Sequence, residues 1–326
     1  MRDIRWAIVG TGAVAGRIAP DFPLAEGAEL VAVCSRTAEA GGEFARAHRI
    51  PRVHSAYVAL LADAEIDAVY LATPHITHHR LALEALDAGK HVLVEKPMGM
   101  EAREVREIAA AARRNGLLAM EAMWMRFSPL VAAVRETIAR GEIGEVRSVR
   151  ASFGMPFPRD VGSRWSAEMG GSVLLDQGIY PVTLASLLLG SPDGLTARRS
   201  VQDDGVDHSV HMTLEFSEGR FAQLSASMTE YIDPSATISG TAGWIQLEAP
   251  FWSGAIYRVH AGDIGTALFR PTRHEVAIEG HGYVPMLRAF TAAILSGDVT
   301  AVEQLGRETA QVFDILDAVK EGAVDG

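Results

Sequence analysis

Two short stretches of this 326-residue chain carry side chains able to handle a proton. In "HVLVEKP", His91 to Pro97, the run Val92-Leu93-Val94 suits the middle of a parallel sheet covered on both faces. It ends in a carboxylate, an ammonium and a proline: Glu95, Lys96 and Pro97. The proline fixes φ and removes a donor, so it helps to aim the preceding residues out of the sheet. A Glu-Lys pair on an open surface would contribute little stability, and that reading does not explain the position between a buried-type strand and a proline. In "GGSVLLDQGIYPV", Asp176 and Tyr180 are four residues apart on a helix expected from about Ser172, so they share one face. A tyrosine with its ordinary pKa of about 10 is protonated at neutral pH and can donate to a carbonyl oxygen or protonate an alkoxide. By themselves, Asp176 and Tyr180 read equally as a proton-handling pair and as a structural hydrogen bond.

The elements that must position these groups are legible around them. "IRWAIVG", Ile4 to Gly10, reads as a strand; it runs into Gly10-x-Gly12-x-x-Ala15 and a helix-like stretch, and Ala28–Arg36 closes a strand-helix-strand unit. In that setting the glycines read as a dinucleotide-binding turn. Gly10 permits the bend, Gly12 lets the backbone approach a pyrophosphate, and Ala15 allows close helix packing. Thr11, Ala13 and Val14 complete a loop whose helix end offers N–H groups to an anion. An NAD site usually places Asp or Glu at the end of the second strand, about 20 residues past the glycines. Here stand Cys34, Ser35, Arg36 and Thr37. A guanidinium and hydroxyls suit a 2′-phosphate, so NADP(H) is the expected cofactor, with NAD(H) still open. A merely solvated Arg36 would leave the missing acid unexplained.

Alternation continues with a strand in Ile66–Pro74, a helix in Thr77–Lys90, the Glu95-Lys96 strand, a helix in Met100–Gly116 and a strand opening Leu117–Phe127. Glu95 and Lys96 then lie at the carboxyl edge of the sheet, where ligands bind in open α/β folds. Beyond Phe127, strands gather instead: Gly144–Pro158, a hairpin in Ser209–Met228 turning near Glu218-Gly219, and Ser235–Phe251. Two amphipathic helices are expected near Val284–Leu295 and Val302–Lys320. The expected fold is an α/β dinucleotide-binding domain with a doubly wound parallel sheet at 1–122, followed by an α+β domain with a mostly antiparallel sheet at 123–326. Which domain the last helix joins stays open.

The glycine loop, "ATPHITHH", "VEKP", "GGSVLLDQGIYPV" and "GYVPMLRAF" together resemble the glucose–fructose oxidoreductase / inositol dehydrogenase / MocA family. The motifs keep the family's order over nearly the whole chain. "MEAMWMRFSP" with Tyr180 is most similar to the branch of dimeric dihydrodiol dehydrogenases and NADP-dependent aldose dehydrogenases. The resemblance implies a Rossmann domain, an open-faced second sheet that often pairs with another subunit, and hydride transfer between a nicotinamide and a hydroxyl or carbonyl carbon of a sugar, polyol or cyclic diol. It makes Lys96 the residue that holds the substrate oxygen and shares its proton. Asp176 and Tyr180 match the family's catalytic Asp-x-x-x-His/Tyr pattern, with Tyr where many members have His. Tyr180 is then the acid/base, supported electrostatically by Lys96, and Asp176 orients the substrate.

The same resemblance adds Glu95, Thr73, Pro74, His75 and His78 to the expected cofactor contacts; His79 is expected in solvent. Trp124 reads equally as a cover for the nicotinamide and as interdomain packing. Arg164 and Trp165, in a glycine-flanked loop before the active helix, are expected to touch cofactor or substrate. Tyr283 matches a family tyrosine at the cofactor site, or caps a helix, and Phe153 and Phe157 read as core or as pocket lining.

A net charge of −11 argues against recognition of nucleic acid through a basic surface. One cysteine, Cys34, excludes an intrachain disulfide and a cysteine metal cluster. The N-terminus enters a strand directly, and no apolar run approaches the roughly 20 residues of a membrane span. The expectations are therefore a cytoplasmic enzyme, no metal, no nucleic-acid or membrane partner, a small-molecule substrate and a homodimer through the C-terminal sheet. Two alternatives remain: a dinucleotide-binding sensor without turnover, and a redox-neutral enzyme that recycles a tightly held NAD(P).

Overall fold

Trp6–Ile8, Ala68–Leu71 and Val92–Val94 have no solvent exposure, as strands covered on both faces require. In this computed structural model, which describes residues 2–159, 162–322 and the backbone of 324–325, they belong to a six-stranded sheet. The first part of the chain alternates β1 (Ile4–Val9), α1 (Ala13–Ile18), β2 (Ala28–Cys34), α2 (Ala38–His48), β3 (Arg52–His54), α3 (Tyr57–Leu61), β4 (Ala68–Leu71), α4 (His78–Asp87), β5 (His91–Glu95), α5 (Ala102–Asn115) and β6 (Ala119–Ala122). The strand order is β3-β2-β1-β4-β5-β6 and every pairing is parallel. This is the doubly wound order, with its reversal between β1 and β4. β3 escapes sequence reading because it is three half-polar residues, Arg-Val-His. β2 stops at Cys34 rather than Arg36, and the next N–H, of Ser35, bonds the His54 carbonyl at 3.1 Å.

The chain divides into two compact units, Met1–Trp124 with Glu279–Ala310, and Met125–Ile278 with Gln311–Gly326. The expected boundary is at 122/123, with only the last helix left open; the contacts instead return Glu279–Ala310, with the helix expected near Val284–Leu295, to the first unit. The reason is aromatic packing. Trp6 of β1 meets Phe22 at 5.5 Å and Phe290 at 5.8 Å, so the late helix Val284–Ser296 is core of the first unit. The approach to that helix is fixed by a buried carboxylate. Asp21 has no exposure and accepts the backbone N–H groups of His281 and Tyr283, both at 2.9 Å, and the His281 ring Nδ1 at 2.9 Å.

The second unit holds α6 (Pro129–Ala139), β7 (Val146–Gly154), α7 (Ile179–Leu189), β8 (Gly194–Val201), β9 (Asp207–Phe216), β10 (Arg220–Ser227), β11 (Ala236–Gly240), β12 (Gly243–Leu247), β13 (Ile256–Ala261), α8 (Ile264–Phe269) and β14 (Thr272–Glu275). Its sheet runs β14-β13-β12-β11-β7-β10-β9-β8, with a two-residue strand, Val324–Asp325, at the β8 edge. Pairings are antiparallel except β7 with β10 and the terminal pair. The expected hairpin is present and turns through Glu218 and Gly219, both at positive φ. The helical run 167–189 is long and apolar enough by composition to cross a membrane, which sequence reading did not anticipate; 83% of its most apolar stretch is buried in the protein, as in a core helix.

Replacing Asp21 by Ala leaves the buried Tyr283 N–H and the part-buried His281 N–H without their acceptor, and we expect a loss of about 2–4 kcal/mol in urea denaturation.

Candidate active site

At the reversal point the carboxyl ends of β1 and β4 converge. Gly10 has φ +104°, and a Cβ there would stand 2.3 Å from the Ala72 carbonyl oxygen, so only glycine fits. A Cβ on Gly12 would meet nothing within 4 Å, which leaves open space against the backbone where α1 begins. Ala15 is wholly buried under that loop. Thr11 and Ser35 bring their hydroxyls to 3.4 Å, and Arg36 is exposed beside them in sequence. Arg36 and the hydroxyls stand where a carboxylate would discriminate against a 2′-phosphate.

Across the switch point, the Thr73 hydroxyl lies 2.7 Å from that of Thr77, which also donates to the Pro74 carbonyl at 2.7 Å. Lys96 follows directly on β5, is partly exposed, and is joined to Pro97 by a cis peptide. Two residues expected to meet cofactor are turned inward instead. His78 is fully buried, with Nδ1 2.8 Å from the Pro97 carbonyl and Nε2 2.8 Å from the Thr73 carbonyl. A neutral imidazole has one N–H for these two acceptors. Burial, with the Lys96 cation adding to it, nevertheless pulls its pKa below the ordinary histidine value. Glu95 is also buried; its carboxylate accepts the Tyr70 hydroxyl and, at 3.0 Å, the Lys96 backbone N–H. Both therefore brace the rim rather than face a ligand. His75 stays partly exposed, its ring 5.9 Å from that of His78. His79, expected in solvent, is partly buried, with Nε2 2.8 Å from a Glu107 carboxylate oxygen. Trp124 and Tyr283, far apart in sequence, stack at 5.0 Å within this unit.

Asp176, Tyr180, Arg164 and Trp165 lie in the second unit. Asp176 sits in a single π turn, Leu174–Gly178, that leads into α7. Such turns widen a helix locally and are frequent at functional sites. The buried carboxylate of Asp207 accepts Val173 N–H at 3.0 Å and Leu174 N–H at 3.3 Å, which anchors the start of the turn. Arg164 Nε donates to Asp176 at 3.1 Å while its guanidinium lies 3.8 Å over the Phe157 ring. Trp165 donates to the Pro158 carbonyl at 3.0 Å and packs edge-on against His208. Tyr180 is 5% exposed among aromatics, 5.7 Å from Phe153 and 5.9 Å from Trp252, which stack on each other at 3.6 Å.

Residues 4–123 match the model described as the oxidoreductase family with NAD-binding Rossmann fold, and residues 131–246 match the GFO/IDH/MocA C-terminal domain. The chain belongs to the GFO/IDH/MocA oxidoreductases. It is 37% identical over 254 residues to trans-1,2-dihydrobenzene-1,2-diol dehydrogenase of Bos taurus, covering 77% of this chain and 76% of that one. The enzyme of the same name from Sus scrofa is 38% identical over 256 residues, 76% of this chain and 75% of the other. Among solved structures, a 3-ketoreductase from Actinomadura kijaniata in complex with NADP and TDP-benzene superposes with a TM-score of 0.89 at 28% identity over 99% of both chains. That ketoreductase has also been solved with a lysine changed to Ala and a tyrosine changed to Phe, separated in its sequence as Lys96 and Tyr180 are here. An aldose-aldose oxidoreductase from Caulobacter crescentus shares the fold, with a TM-score of 0.88 at 24% identity over 99% of this chain and 98% of that one.

For a GFO/IDH/MocA oxidoreductase the glycine loop fits a dinucleotide on structural grounds: the bend tolerates no side chain at Gly10, and Gly12 leaves the backbone open. Asp21, Asp207 and Trp252 were missed by sequence reasoning, for lack of any spacing that marks a lone buried acid or a ring from a distant loop. The lowered pKa of His78 has a sign that can be checked. The native ring resists a proton that the unfolded chain accepts below about pH 6.5, so stability falls as pH drops through that value. We expect the melting temperature of wild type to fall more steeply than that of His78→Gln between about pH 7 and about pH 5.

Proposed function

We propose that this chain is an NADP(H)-dependent oxidoreductase that moves a hydride between the nicotinamide and a hydroxyl- or carbonyl-bearing carbon of a sugar, polyol or cyclic diol. The observation that carries this reading is a lysine at the tip of β5, on the sheet edge where the glycine cradle opens and β2 ends in Ser35 and Arg36 without a carboxylate. The relatives named above, diol dehydrogenases and a ketoreductase bound to NADP, support it.

When bound, the nicotinamide supplies or accepts the hydride. Thr11, Gly12 and the first turn of α1 would hold the pyrophosphate, and Ser35 with Arg36 the 2′-phosphate. In our reading the Lys96 ammonium holds the substrate oxygen. Tyr180 is the acid/base: it gives the substrate its phenolic proton in the reducing direction and recovers it in the oxidising one. Asp176, tethered by Arg164, accepts a hydrogen bond from a substrate hydroxyl. The stacked Phe153 and Trp252 beside Tyr180 offer an apolar wall to the C–H face of a ring. The variants of the ketoreductase at a lysine and a tyrosine of matching separation support the roles of Lys96 and Tyr180.

Reduced-nicotinamide absorbance, followed with a panel of aldoses, ketoses, polyols and dihydrodiols, tests the activity. Lys96→Ala and Tyr180→Phe are expected to lower kcat by about 10²–10⁴-fold while cofactor binding persists; near-normal turnover in Tyr180→Phe would remove it as the acid/base. Arg36→Ala is expected to weaken NADP(H) about 10- to 100-fold in fluorescence titration, with NAD(H) little changed.

We further infer a homodimer through the second unit's uncovered sheet face. The register puts Thr196, Thr213, Gln223, Arg150 and Thr237 in one row across five strands, flooring a hollow of about 750 Å³. Light scattering should return about twice the 35.0 kDa chain mass; a monomer would refute the pairing.

A further inference from the structure

The motif "VEKP" holds a buried acid that the proposed proton transfers do not use. β5 ends at the Glu95–Ala122 pair, and the next N–H, that of Lys96, lies beyond the ladder. Glu95 supplies its acceptor through Oε2 at 3.0 Å, while Oε1 receives the hydroxyl of Tyr70 from β4. Tyr70 is wholly buried and Glu95 is 6% exposed. The charged and titratable groups around this carboxyl are Tyr70 on β4, Lys96 next in the chain and Glu121 on β6. His78, from α4, reaches the Pro97 carbonyl next to Lys96. Among these only the lysine offers the carboxylate an opposite charge.

Resting on the function proposed above, we propose that Glu95 is a positioning residue whose ionised side chain braces Lys96 and supplies its counter-charge. The phenol of Tyr70 can reverse its sense and accept a proton from a neutral carboxyl, and Oε2 can still accept the Lys96 N–H. Protonation therefore keeps the brace but removes the charge facing the ammonium, and the lysine loses the field that holds it toward a substrate oxygen. Burial, with the Glu121 charge adding to it, pushes the carboxyl up to about 7 against the hydrogen bonds of Tyr70 and Lys96 and the Lys96 cation. The protonation change thus falls near neutral pH.

The pH profile of kcat/KM tests this. Wild type should lose activity on acidification through about pH 7. Glu95→Gln keeps shape and hydrogen bonds without the charge; it should remove that limb and lower kcat/KM at pH 8 by about tenfold or more. Tyr70→Phe deletes a hydrogen bond to the ionised form and should move the limb up by about one pH unit. Glu121→Gln removes a like charge and should move it down. Independently of turnover, infrared difference spectra of the cofactor-free protein should show a buried protonated-carboxyl band rising below about pH 7 and missing in Glu95→Gln. An acid limb that survives unchanged in Glu95→Gln, or the absence of the infrared band from wild type, overturns the assignment. A wild type that binds NADP(H) yet turns over no member of the panel, with the band in place, refutes the proposed function and leaves the titration of Glu95 standing.

Discussion

Between the carboxyl ends of β1 and β4 there is no room for a side chain, because a Cβ on Gly10 would press to 2.3 Å from the Ala72 carbonyl oxygen. That close approach lies where the strand order reverses, and it opens the crevice on whose rim the glycine loop, Thr73 and Lys96 stand. Thr73 and Pro74 follow Ala72 directly, and the buried His78 ring links the Thr73 carbonyl to that of Pro97. The glycine contact, the histidine link and the strand tip thus form one connected rim.

Much of this rim was legible in sequence because it depends on residue types that few positions tolerate. Glycines between a strand and a helix, and a proline after an apolar strand, each have a narrow set of physical explanations. The inward turn of Glu95 and His78 was not legible. A carboxylate at a strand end reads as solvent- or ligand-facing by default, and only the neighbouring strand's Tyr70 turns it inward. The three-residue β3 left no hydrophobic alternation to detect. The membership of Val284–Ser296 in the first unit depends on which aromatic ring it meets, a fact of three dimensions.

The second unit shows the opposite balance. Its hairpin and strand-rich character follow from turn chemistry and alternation, yet its chemistry-bearing acid occupies a widened turn that a four-residue spacing does not announce. Asp207 anchors that turn from one side, and Arg164, laid over Phe157, reaches Asp176 from another. The fixed direction of Asp176 therefore comes from groups that have no sequence proximity to each other. Tyr180, the proposed acid/base, is enclosed by rings contributed from β7 and from the loop after β12.

The packing of Phe290 on Trp6 has a consequence for synthesis. Trp6 leaves the ribosome long before the ring that completes its burial, which is made some 280 residues later. The Asp21 carboxylate likewise waits for the backbone of His281 and Tyr283. Until then the nascent first unit carries an open apolar seam and a buried-type acid without its donors, while the second sheet from β7 to β14 is already emerging. The nucleotide-binding half therefore cannot mature in simple N-to-C order, and a chain ended before this late helix lacks the closing side of its first core.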